Sequence, residues 1–147
     1  MFEQGYDVRI LCAICSRNVP SGNVTMAALS ADMLESLREP GTSRISPSKL
    51  AALLDMQQQD LALLAGVHRN TVRLHPESPR LQAALRDLVR LLSAASAVQP
   101  DLQRLIFFIK NEPVPAFSYK TLLQVVQEAR TDDAIAYLES VASGFVG

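Results

Sequence analysis

Gly66 stands between two short amphipathic stretches in QQQDLALLAGVHRNTVRLH, residues 57–75, and no other feature constrains the fold as tightly. Two steeply crossing helices need a small residue where they touch. The tight turn between them needs a residue tolerant of positive φ, and apolar residues must recur along the contact. Counting from Gln58, the apolar slots hold Leu61, Ala65, Val67 and Val72. The small slot holds Ala62 and the turn slot holds Gly66. A late apolar slot holds His75 with Leu74 beside it, so the second helix fits less well at its end. The spacing predicts a helix-turn-helix.

Helical periodicity continues on both sides. Met26, Leu29, Met33, Leu34 and Leu37 recur at helical intervals over residues 26–38, and Pro40 and Gly41 mark a loop. Ser46-Pro47 and Ser78-Pro79 each place an N-cap before a proline at the first helical position. The second pair opens the longest helix, about residues 79–97, with Leu81, Leu85, Leu88, Leu91 and Leu92 on one face. That face suits either a core or a dimer contact. Pro100 ends it, and Leu102, Leu105, Ile106 and Ile109 pattern the next helix. Pro113 and Pro115 then predict an extended link. Thr121 with Gln124 forms a capping box for a helix through about Ala129, and Thr131, Asp132 and Asp133 open a last helix ending near Gly144. The expected class is all-α: a helix-turn-helix domain over residues 26–98 and a small helical domain over 99–147. Residues 1–25, with the apolar run Val8–Ile14, form an extension that is either disordered or one strand.

Charge bears on what such a chain can bind. The net charge is −1, poor for a nucleic-acid partner taken as a whole. Residues 66–100, however, carry Arg69, Arg73, Arg80, Arg86 and Arg90 against only Glu77 and Asp87. The positive field therefore lies on the motif, where a dimer would double it. Arg69, Asn70, Thr71 and Arg73 on the second helix, with His68 at its start, are the candidate DNA contacts. Arginine pairs bidentately with guanine and asparagine with adenine. Gln58 and Gln59, opening the first helix, are candidates for phosphate contacts. A lone histidine at such a place serves more often as a cap than as a reader.

Other chemistry finds little support. Cys12 and Cys15 have the C-x-x-C spacing, but a zinc site needs about four ligands. No second cysteine pair exists, and both histidines fall in the motif. No metal and no cofactor are expected. No nucleophile–base arrangement or phosphate-binding glycine loop is present, so an enzyme is not expected. Apolar residues make up 48% and charged residues 20%, and the apolar runs are short. A globular cytoplasmic protein without a membrane span is the expectation.

The stretch AGVHRNTVR and the C-terminal run FFIKNEPVPAFSYKTLLQVVQEARTDDAIAYLESVASG resemble antitoxins of the Xre/MbcA/ParS type, over roughly residues 45–147. Asn111, Pro113, Pro115, Ala116, Phe117, Lys120, Thr121, Leu123, Val126, Ala134, Tyr137, Leu138 and Gly144 fall on the family pattern. The chain departs from it at Ser118-Tyr119 and at Arg130-Thr131-Asp132, where the family has glycines. It departs also at Leu122, where the family often has proline, and at Phe107 or Phe108, where it often has tryptophan. The resemblance implies a C-terminal toxin-binding domain that silences a cognate RES-type or ParT-type toxin. RES-type toxins consume NAD, and the antitoxin's C-terminal end would cover that site. It implies repression of the protein's own operator DNA as well. Lys120, Tyr137, Ser143, Gly144, Phe145, Val146 and Gly147 are the candidate toxin contacts, within a complex containing a homodimer. Phe145 can instead fold onto its own core. A stand-alone dimeric transcriptional regulator is the alternative that the residues leave open.

Overall fold

A computed structural model describes residues 31–144. The expectations for residues 1–25, for Cys12 and Cys15, for the start of the first helix at Met26 and for Phe145, Val146 and Gly147 lie outside the described residues.

The described chain is helical, with no strand among its residues and two isolated antiparallel bridges, Arg38–Ile45 and Val114–Lys120. Helix α1 spans Ala31–Ser36, and the first bridge closes the loop around Gly41. Helix α2, Pro47–Leu53, starts as its sequence predicts. The Ser46 hydroxyl accepts the Lys49 N–H at 3.4 Å, and Pro47 supplies a fixed φ where no donor is needed. Helix α3, Gln58–Ala65, is followed at Gly66 by the left-handed conformation and then by α4, Arg69–Leu74. Pro79 opens α5, Pro79–Val98. Asp101 caps α6, Leu102–Asn111, by accepting the N–H groups of Gln103 and Arg104 at 3.0 and 3.1 Å.

The link after α6 departs from expectation. Glu112 and Val114 are extended, but Pro115–Phe117 turn into a 3-10 helix, and Ser118 and Tyr119 both take positive φ. Pro115 restrains the residue before it and, at the first position of a turn, is already shaped for the turn. Helix α7, Leu122–Gln127, carries both halves of its capping box, and α8 spans Thr131–Ala142. Helix α8 starts at Thr131 as its sequence predicts, with Asp132 and Asp133 in the first turn. Arg130 occupies the capping position without a side-chain cap, and the Thr131 hydroxyl is buried with no hydrogen-bond partner.

The chain forms two compact units, one running to Arg90 and the other from Leu91 onward. In the first, α2 packs on α3 and α3 on α4. Leu50, Leu54, Leu61, Leu81, Leu85 and Leu88 are fully buried there. In the second, α6 packs on α7 and α7 on α8, with Leu91, Leu92, Leu105, Phe108, Ile109 and Leu122 inaccessible. Each such side chain contributes about 1.5–3 kcal/mol by leaving water. The leucine face of α5 is thus buried within the chain. No described helix is long and apolar enough to cross a membrane.

Candidate nucleic-acid interface

The site begins with the end of α3. Gly66 at φ 67° lets its N–H reach the Leu63 carbonyl at 3.2 Å, and the Val67 N–H reaches the Ala62 carbonyl at 3.0 Å. This reciprocal pair is the usual way a left-handed residue satisfies the last carbonyls of a helix. Three residues then suffice to reach α4. Leu61, Ala62, Ala65 and Val72 are buried and Val67 is half-buried, so all but one of these slots face fully inward. Leu74, at the poorly fitting end of α4, is 59% exposed.

His68 is the N-cap of α4, its Nδ1 accepting the Asn70 N–H at 3.2 Å. Arg69, Asn70 and Arg73 are exposed and Thr71 is half-buried. Arg69 and Arg73 lie one turn apart on the same face, and neither has a side-chain partner among the described residues. The acidic groups of this basic segment are already engaged. Asp87 pairs with Arg90 at 3.3 Å, and Glu77 meets His75 at 3.3 Å. Glu77 is held below the usual carboxylate range by a hydrogen bond from its own backbone, with help from His75 and Arg44. Arg69, Arg73, Arg80 and Arg86 thus have no ion-pair partner among the described residues. Gln58 and Gln59 are exposed at the start of α3, and Gln58 Nε2 donates to Ser48 Oγ at 3.3 Å.

Sequence reasoning left Arg80 out of the contact set. Its guanidinium lies against Gly66, since a methyl group built there would sit 3.3 Å from Nη2. Nothing in the residue spacing pairs positions 66 and 80; only the return of α5 to the turn brings them together.

The C-terminal candidates are dispersed. Lys120 pairs with Glu128. The ring of Tyr137 meets Phe117 edge to face at 5.5 Å, and Arg130 lies 5.5 Å over the same Phe117 ring. The Ser143 hydroxyl donates to the Ser140 carbonyl at 2.9 Å, and Gly144 is exposed and left-handed. Phe107 and Tyr119, which the sequence did not single out as contacts, are 58% and 63% exposed. A further groove, around Arg38, Glu39, Gly41 and Lys49, is shallow and its arginine is paired with Glu35. No group of three or more metal-ligating side chains occurs among the described residues.

No family model, no curated protein and no solved structure matches the chain.

Proposed function

We propose that the protein is the antitoxin of a type II toxin–antitoxin pair that represses its own operator through a helix-turn-helix. One observation carries the DNA-binding half. Arg69, Asn70 and Arg73 stand exposed, without side-chain partners among the described residues, on a short helix entered through a left-handed glycine, in the one strongly basic stretch of a nearly neutral chain. A guanidinium left unpaired by its own protein keeps a bidentate fork for a guanine edge or a phosphate. Two copies on a two-fold axis would read two half-sites about 34–36 Å apart and supply the field that one copy lacks.

The toxin-binding half rests on the resemblance of residues 107–144 to the C-terminal domain of Xre/MbcA/ParS-type antitoxins. It is supported by large exposed side chains, Phe107 and Tyr119, in the unit that the resemblance assigns to partner binding. Tyr119 is held at φ 64°, a conformation that costs an ordinary residue about 1–2 kcal/mol. The partner is a RES-type toxin, its NAD site covered by the C-terminal end of this chain.

Binding of the full-length protein to duplex DNA from upstream of its own gene tests the first half. Arg73→Ala is expected to cost about 1–3 kcal/mol on that duplex and to relax sequence preference. Equal affinity of variant and wild type, by fluorescence anisotropy, would remove Arg73 from the interface. The second half is tested by co-expression with the product of the neighbouring gene, reading cellular NAD. Deleting Phe145–Gly147 is expected to release NAD consumption while leaving DNA affinity unchanged. Retained neutralisation would show that the tail is not the plug.

A further inference from the structure

We infer that Arg80 is a phosphate anchor, set in place by Gly66, that flanks the base-reading residues of α4. The inference rests on the DNA-binding reading above. A methyl group built on Gly66 would lie 3.3 Å from Arg80 Nη2 and 3.8 Å from both Cζ and Nε. The guanidinium therefore lies in close contact with the turn, where a side chain at position 66 would crowd it. No counter-charge among the described residues holds it there. Arg80 is exposed and has no ion pair or hydrogen bond among the described residues, so its donors remain unused. An arginine head resting against the turn with its donors free can offer them to an anion.

Its location selects the ligand. Gly66 closes α3, and Arg69 opens α4 three residues later. Three residues span at most about 11 Å, so the Arg80 head lies close to the start of the reading helix. Arg80 itself belongs to α5, a separate helix, and sits beside the reading face without being part of it. A cation beside a groove-reading helix meets the strand that borders the groove, and guanidinium matches the oxygens of one phosphate bidentately. Gly66 thus has two duties, one conformational and one of clearance.

The test measures affinity of the full-length protein for its upstream duplex and for a scrambled duplex across a salt series. Arg80→Gln keeps most of the packing stem and removes the charge. It is expected to weaken both duplexes alike, about five- to tenfold at about 0.1 M salt, and to lower the slope of log K against log salt by about one. Arg80→Lys is expected to restore most of that slope. Arg73→Ala, by contrast, is expected to weaken the upstream duplex more than the scrambled one. If Arg80→Gln keeps the wild-type slope while Arg73→Ala is impaired, Arg80 only packs on the turn and the inference falls while DNA binding stands. A weakened Arg80→Gln with unchanged slope, or no rescue by lysine, overturns it equally. If the wild type binds neither duplex, the DNA-binding reading fails and this inference with it.

Discussion

Replacing Gln82 by leucine is expected to remove about 3–5 kcal/mol of folding stability, although the new side chain is apolar and of similar size. Gln82 is only 5% exposed and serves two loops at once. Its Oε1 accepts the Ile45 N–H at 3.0 Å. Its Nε2 donates to the Ile45 carbonyl at 2.9 Å and to the Pro76 carbonyl at 2.7 Å. The first loop joins α1 to α2 and the second joins α4 to α5. Leucine would leave one N–H and two carbonyls without their partner, at about 1–3 kcal/mol for each group that water cannot reach. The gain from one more apolar side chain offsets part of that cost. Urea unfolding followed by circular dichroism measures the change as a lower midpoint. A loss under about 1 kcal/mol would mean that water replaces the amide at all three positions. Gln103, exposed on α6, is the control, and its replacement by alanine should stay within about 0.5 kcal/mol.

Phe108→Ala is expected to cost about 3–5 kcal/mol, while its neighbour Phe107→Ala stays within about 0.5 kcal/mol. Phe108 is 1% exposed and Phe107 is 58% exposed. Consecutive helical residues point about 100° apart, so one can be inside and the other outside. Truncating the buried ring removes its transfer free energy and leaves a cavity that the neighbours fill only in part. A domain of this size has about 5–15 kcal/mol of stability in total, so the substitution would take a large share of it. Thermal and urea unfolding of both variants check the contrast. Equal losses would mean that Phe107 is also packed in solution. Because Phe107 contributes little to folding, its substitution is also a clean probe of the partner-binding reading.

Local signals in the sequence were read correctly where the physics is local. Ser46-Pro47 opens α2, Pro79 opens α5, and Thr121 and Gln124 cap α7 reciprocally, their bonds being 3.3 and 2.9 Å. Gly66 occupies the left-handed corner that the spacing required. Each of these depends on residues within about one turn of one another. Asp55, Ser118, Tyr119 and Ala129 were not legible in the same way. All four take positive φ without being glycine, because the surrounding structure holds them there.

The candidate site divides along the same line. The exposure of Arg69, Asn70 and Arg73 follows from helical spacing once the inward slots are fixed. The contacts between Gln58 and Ser48, Arg80 and Gly66, and Gln82 and Ile45 join residues far apart in the chain, and no local pattern announces them. Gln82 in particular looks like any polar position on an amphipathic helix until its three bonds are seen.

In the DNA complex proposed above, the cap made by His68 would limit which chemical groups on a duplex the ring can recognise. With Nδ1 accepting the Asn70 N–H, the neutral imidazole carries its hydrogen on Nε2. The outer edge of the ring is then a donor and nothing else. It can meet N7 of either purine, guanine O6, thymine O4 or a phosphate oxygen, but it has no lone pair to offer the amino group of cytosine. In the proposed complex this imidazole would disfavour cytosine at the position it faces and leave the other three bases open.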